Sequence, residues 1–207
     1  MEEELEGLKI KAEQFIEEYH NNAAVLYKYK TIDSGSSRKV YDLKNGLVAK
    51  YASNFDDGYH QNLKEFKVYT EELEGAVLPT YEDLLAPSLA ISDNGDLLIM
   101  VKCEGANEYL DSAIRNKLDQ VYDLANKHDL LEGDLLKESS WGVLDDCFVL
   151  LDYGGTKEIA LDQDLERSPY EDDEDDYFNG KIIIDTLDDE LDDKYEEYDD
   201  NKNYKED

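Results

Sequence analysis

Basic side chains are scarce in this sequence. Its 207 residues hold 21 Lys and Arg against 53 Asp and Glu, a formal charge of −32 at neutral pH. Such a surface repels nucleic-acid phosphates and anionic membranes, so direct binding to either is excluded. Long apolar runs are missing as well. No stretch approaches the roughly 20 residues that span a bilayer, and the opening Met1-Glu2-Glu3-Glu4-Leu5-Glu6 is the opposite of a signal peptide's basic, then apolar, start. There are two cysteines, Cys103 and Cys147. They stand far apart in apolar surroundings, which reads as two reduced core thiols rather than a disulfide framework or a metal site. The three histidines, His20, His60 and His128, fall singly without metal-ligand spacing and read as surface or packing residues. The expectation is a soluble, cytoplasmic protein, long enough for one ordinary domain or two small lobes around a core of its own.

What is abundant is acid, and it is unevenly spread. Residues 161–207 carry 21 acidic and 5 basic side chains, a net −16 that equals the charge of the other 160 residues. The chain therefore reads as a folded body with an acidic end. Within that end, Glu171-Asp172-Asp173-Glu174-Asp175-Asp176 is expected to be a solvated loop. The apolar Lys181-Ile182-Ile183-Ile184-Asp185-Thr186-Leu187 is able to dock a short element on the body, and residues 188–207 are expected to form a disordered tail.

The body opens with Leu5, Leu8, Ala12, Phe15, Ile16 and Tyr19 at three-and-four spacing, an amphipathic helix over residues 1–21. The period then changes. Residues 24–32 are β-rich, residues 33–37 are a polar turn, residues 38–43 form a second strand, and Asn45-Gly46 signals a two-residue hairpin into a third strand over 47–52. A second helix is expected over 59–74, with Leu63, Phe66, Tyr69 and Leu73 on its apolar face and Pro79 beyond its end. Two further strands, 86–91 and 96–103, flank the turn Ser92-Asp93-Asn94-Gly95. A third helix, about 108–128, carries Leu110, Ile114, Leu118, Val121, Tyr122 and Leu124. The fold class is α+β, with a five-stranded antiparallel sheet and one helix inserted after its third strand.

Two carboxylates, Asp134 and Asp152, lie at the ends of apolar segments, the second just before Tyr153-Gly154. A second cluster places the Gly35-Ser36-Ser37 turn between strands and Lys50 on the third strand. Backbone N–H groups and an ammonium are what a phosphate chain requires.

In this order of elements the chain resembles the protein-kinase fold over residues 25–155. It resembles more closely the small kinase-like proteins of phages and mobile elements, with their Gly-Ser-x-Arg-x-Val-Tyr, Asn-Trp-Gly and Asp-Tyr-Gly pattern. Here the corresponding stretches read Gly35-Ser36-Ser37-Arg38-Lys39-Val40-Tyr41, Ser140-Trp141-Gly142 and Asp152-Tyr153-Gly154. The resemblance implies a two-lobed fold, with residues 22–103 as the upper lobe and 104–187 as a reduced helical lower lobe. It implies ATP and Mg²⁺ as cofactors. Lys50 would orient the phosphates and Glu65 would hold that lysine. Gly35, Ser36 and Ser37 would cover the phosphate chain, Asp134 would accept the hydroxyl proton, and Asp152 would chelate Mg²⁺. Val40 and Val48 would pack on the adenine, with Met100 behind it and the backbone of residues 101–103, Val101 to Cys103, supplying hydrogen bonds. Ser139 stands where the second-metal Asn is usual, or Ser140 does in the phage-type register. No Ala-Pro-Glu element follows Asp152, so the usual peptide platform is missing.

Two functions follow. The first is ATP-dependent phosphotransfer to a protein hydroxyl, with self-modification included. The second is an inactive kinase-shaped interaction protein whose acidic surface covers a basic, nucleic-acid-binding site on a partner protein. A phage origin, also implied by the resemblance alone, would put the protein in the host cytoplasm.

Overall fold

Alternating apolar residues between Arg38 and Ala52 build the centre of the structure. In the computed structural model, which describes residues 2–53, 57–75, 81–105 and 109–159, they form β2 (Arg38–Lys44) and β3 (Leu47–Ala52). The expected hairpin turn joins them. Lys44, Asn45 and Gly46 all take positive φ, at 64°, 52° and 80°, a backbone that Asn and Gly adopt at low cost. β1 (Lys30–Ser34) pairs with β2, β5 (Leu97–Val101) with β3, and β4 (Ser88–Ile91) with β5. The result is a five-stranded antiparallel sheet in the order β1-β2-β3-β5-β4. By its contacts the chain divides after Arg167, and every described residue belongs to the first unit. The acidic loop 171–176, the segment 181–187, the tail and Pro79 lie outside the described residues.

The first strand begins later than its composition suggests. Residues Ala23–Lys28 form a 3₁₀ helix that buries Val25 and Leu26, and the Asn22 side chain caps it by accepting the Ala24 N–H at 3.2 Å. That local hydrogen bond gives the backbone an alternative to a sheet ladder. β1 itself is exposed at all five positions, as suits an edge strand carrying Lys30 and Asp33.

Side chains alternate across β3, so its residues divide between two cores. Leu47 and Ala49 face α1 (Glu2–Asn21), which lays Ala12, Phe15, Ile16 and Tyr19 on the sheet together with Leu89, Leu97 and Ile99. The Tyr19 hydroxyl donates to Asp96 at 2.6 Å, fixing the helix end to the β4–β5 turn. On the other face Val48, Leu98 and Met100 join Val68 and Tyr69 of α2 (Asp57–Leu73) and Ile114, Val121 and Leu124 of α3 (Leu110–His128).

α2 buries a different stripe from the one its leucines mark. Leu63 and Leu73 are 40% and 50% exposed, whereas Gly58, Asn62, Glu65, Val68, Tyr69 and Glu72 are buried. Polar groups go inside only when they are bonded there, and these are. Asn62 donates to the carbonyls of Lys50 at 3.2 Å and Gly95 at 3.0 Å. Glu72 accepts the Tyr81 N–H at 2.9 Å and pairs with Lys127 at 2.7 Å and with His128. His128 is thus a buried packing residue, while His20 and His60 are exposed.

The chain then forms α4 (Glu132–Leu135) and a three-stranded sheet of β6 (Glu104–Gly105), β7 (Trp141–Leu144) and β8 (Cys147–Leu150). Both thiols are free, but neither is a fully buried core residue. Cys103 is half-buried and Cys147 is exposed, because the β7–β8 hairpin turns at Asp145-Asp146 and leaves Cys147 at the tip. The base of that hairpin is anchored on the first sheet: Ala86 N–H donates to the Leu150 carbonyl at 2.8 Å, and the buried Tyr153 hydroxyl meets Ser88 at 2.9 Å and donates to the Ala86 carbonyl at 2.8 Å. Among the described residues no helix is long and apolar enough to cross a membrane.

Leu98 is wholly enclosed between β3, β4 and the second core, whereas Ile10 is 47% exposed on α1. Leu98→Ala is expected to lower the unfolding free energy by about 2–5 kcal/mol and Ile10→Ala by about 0.5 kcal/mol or less, as read by urea denaturation. Equal losses would contradict this division of the core.

Candidate functional site

Lys50 lies mid-way along β3, opposite Val40 of β2 and Leu98 of β5. Strand alternation points it to the same face as Val48, toward the buried polar stripe of α2. Its ammonium donates to both oxygens of Glu65, at 2.8 and 3.0 Å, and to the Leu151 carbonyl at 2.6 Å. Glu65 has no solvent exposure at all. The lysine and glutamate singled out in the sequence therefore form a buried ion pair that ties β3 to α2.

A second cation completes the arrangement. Arg38, the first residue of β2, is 7% exposed. It donates from Nη1 to Glu65 at 2.8 Å and to Asn62 Oδ1 at 3.4 Å, and from Nη2 to the Asp152 carboxylate. Two cations and two carboxylates thus meet where β2, β3, α2 and the segment after β8 converge. Arg38 stands at the Arg of the Gly-Ser-x-Arg-x-Val-Tyr pattern, but the sequence alone gives it no role. Its signal was parity: Arg38 and Val40 are two residues apart on one strand, and Val40 is the register partner of Lys50.

Burial and charge pull in opposite directions at the two acids. At Asp152, burial raises the carboxyl's pKa, but the neighbouring charges of Arg38 and Lys50 outweigh it and hold the group well below the usual carboxylate range. At Glu65, burial pushes the carboxyl up against the pull of Arg38 and Lys50. Arg38 is held above its ordinary value: burial disfavours its charge, and Glu65 and Asp152 more than restore it. Removing charges from water costs several kcal/mol per ion, so the buried Arg38, Lys50 and Glu65 need one another. Asp152 alone reaches solvent, with a side chain 52% exposed.

The segment after Asp152 is shaped by what surrounds it. A side chain at Gly154 would strike the backbone of Gln61 on α2, and one at Gly155 would come within 2.5 Å of the Asp134 carboxylate. Asp134, on α4, is thereby brought beside the strand end that carries Asp152, and pairs with Lys137 at 2.9 Å. Ser140 links the two: its hydroxyl donates to the Asp134 carbonyl at 2.7 Å and its own carbonyl accepts the Leu151 N–H at 2.7 Å. Ser139 is exposed next to it.

The turn at residues 35–37 closes on itself. Gly35 N–H donates to the Arg38 carbonyl at 2.9 Å, and the buried Ser37 gives its hydroxyl to Gln61 at 2.9 Å and accepts Ser53 N–H at its carbonyl at 2.8 Å. Gly35 and Ser36 remain exposed. At the far edge, Val101 N–H is taken by the Pro87 carbonyl and Lys102 N–H by the Gly46 carbonyl. Burial pushes the Cys103 thiol up to about 11. Val48 is buried and Val40 partly so, on the face shared with Met100. Among the described residues no three His, Cys, Asp or Glu side chains are grouped to hold a metal ion by themselves.

Compared with known families and with curated proteins, the sequence matches no family model and no curated relative.

A carboxyl held below its ordinary value of about 3.9 stabilises the fold above that pH and loses its contribution as acid protonates it. Wild-type stability is therefore expected to fall as the pH drops below about 4. The gap between wild type and Asp152→Asn should narrow over the same range, as read by urea unfolding between neutral and acidic pH. A gap that stays constant would contradict the pairing of Asp152 with Arg38.

Proposed function

We propose that this chain is a small protein-kinase-like phosphotransferase that binds ATP with Mg²⁺ and acts on a protein hydroxyl, its own included. The buried Lys50–Glu65 ion pair carries the reading, because a strand lysine held by a helix glutamate is half of the charge arrangement that kinase-type phosphoryl transfer requires. Supporting it are a helix inserted after the third of five antiparallel strands, a hairpin that delivers Asp152, and Asp134 beside the same segment. In this reading residues 22–103 belong to an upper lobe, and the described residues after them, 104–105 and 109–159, to a reduced lower lobe.

The donor set fits Mg²⁺. The ion commonly uses one or two carboxylates and completes its shell with phosphate oxygens and water, and Asp152 is an ionised carboxylate that reaches solvent. Asp152 would hold the ion, with a hydroxyl from Ser139 or Ser140 nearby. Bound there, Mg²⁺ supplies positive charge to a triphosphate that would otherwise be repelled by a chain at −32. Lys50 orients the phosphates, Glu65 keeps the ammonium in place, and Asp134 accepts the proton of the acceptor hydroxyl. Val40, Val48 and Met100 offer the apolar surface for the base, Cys103 the backbone group at its edge, and residues Gly35, Ser36 and Ser37 the cover.

A second reading is favoured by one observation: Asp152 is already paired with Arg38. A kinase-shaped protein without turnover would keep that pair closed and use its acidic surface on a basic partner protein.

Thermal unfolding with and without Mg·ATP separates the two. At a hundredfold excess over Kd, the wild type is expected to gain about 2.7 kcal/mol, with no gain in Lys50→Met or Asp152→Asn. No gain in the wild type, together with salt-sensitive binding of a basic protein that survives Lys50→Met, would overturn the enzyme reading and support the second.

A further inference from the structure

We propose that Arg38 is a built-in competitor for the cation position at Asp152, so that a divalent cation binds there only as the guanidinium lets go. This rests on the nucleotide-site reading above and adds its regulation.

The geometry is asymmetric in a way that suits exchange. One side of Arg38 is anchored deep in the protein, on Glu65 at 2.8 Å and Asn62 at 3.4 Å, both with zero exposure. Its other side reaches the half-exposed Asp152. Releasing Asp152 therefore leaves Arg38 paired with Glu65, whereas releasing Glu65 would strand a buried charge. Asp152 in turn does not depend on Arg38 for its place. The Leu151 carbonyl accepts from Lys50 at 2.6 Å, the Leu151 N–H donates to Ser140, Tyr153 is bolted to Ser88 and Ala86, and Gly154 lies against Gln61.

Charge makes the two states exclusive. Arg38, Lys50, Glu65 and Asp152 sum to zero, so the closed site is neutral. A divalent cation on Asp152 would stand next to the Arg38 guanidinium and repel it. Once released, the Nη2 edge of Arg38 would face an incoming anion, and a phosphate oxygen is the ligand it fits, since a guanidinium binds phosphate through paired N–H groups. Arg38 would then act as a positioning residue that trades a carboxylate for a phosphate when the metal arrives.

The test uses Mn²⁺ alone, without nucleotide, titrated into the full chain and followed by electron paramagnetic resonance. Arg38→Gln is expected to bind Mn²⁺ about tenfold more tightly than wild type, and adding Asp152→Asn to that variant should abolish the gain. Because Arg38→Gln weakens a buried network and is at risk of misfolding, a second measurement uses the wild type. The Arg38 guanidinium N–H signals, resolved by NMR, should lose their protection from solvent exchange as Mg·ATP is added. Tighter binding in Arg38→Gln, or loss of protection in the wild type, supports the competitor role. Equal or weaker Mn²⁺ binding with unchanged Arg38 signals overturns it; if Mg·ATP still stabilises the wild type, the nucleotide site stands without it. Absence of both metal binding and Mg·ATP stabilisation overturns the competitor and the nucleotide site together.

Discussion

A carboxylate with no access to water is the constraint around which the central part of this protein is organised. Glu65 is buried completely, and an isolated charge in that position would cost far more than a domain's whole stability margin. Two cations within 3.0 Å, Arg38 and Lys50, make it tolerable. Each of them comes from a different strand, and Arg38 extends the network to Asp152 beyond the β7–β8 hairpin. One acid thus couples β2, β3, α2 and the segment after β8.

Several features that look unrelated follow from that coupling. α2 must present Asn62, Glu65, Tyr69 and Glu72 inward, so its leucines are turned outward. The segment after Asp152 must lie flat against α2, which a side chain at Gly154 would prevent. Tyr153, one residue past the network, is fully buried and bonded to Ser88 and Ala86, so the strand end cannot drift. Asp152 is thus held in place from both sides, by Leu151 on one and Tyr153 on the other. The same rigidity leaves the half-exposed Asp152 as the member of the network open to an outside ligand.

The strands were largely legible in the sequence because period-two alternation and the Asn45-Gly46 turn are local signals. Lys50 was legible as a lysine on a β-rich strand, whereas Glu65 came only from the resemblance to the kinase pattern, since it stands between Lys64 and Lys67 and has no local signal of its own. The inward face of α2 was not legible either. Hydrophobic periodicity pointed to Leu63, Phe66, Tyr69 and Leu73; Tyr69 is buried and Phe66 packs on the core, but Leu63 and Leu73 face outward, because the long-range partners of Asn62, Glu65 and Glu72 rotate the buried stripe toward those residues. Arg38 went unassigned for a similar reason: its partners, Glu65 and Asp152, lie 27 and 114 residues away. Residues 23–28 have strand composition, yet the Asn22 side chain caps a 3₁₀ turn there. Cys147 sits in an apolar run, but the hairpin places it at the exposed tip. The misses come from tertiary bonds or local caps overriding composition.

The claim that one buried network unites these elements is tested most directly by a double-mutant cycle on its central pair. Unfolding free energies of wild type, Lys50→Met, Glu65→Leu and the double variant would be measured at neutral pH. If the two side chains act as a unit, the double variant costs less than the sum of the singles by more than about 1 kcal/mol. Additive losses would show that Lys50 and Glu65 stabilise the fold independently, and would contradict a network built on Glu65.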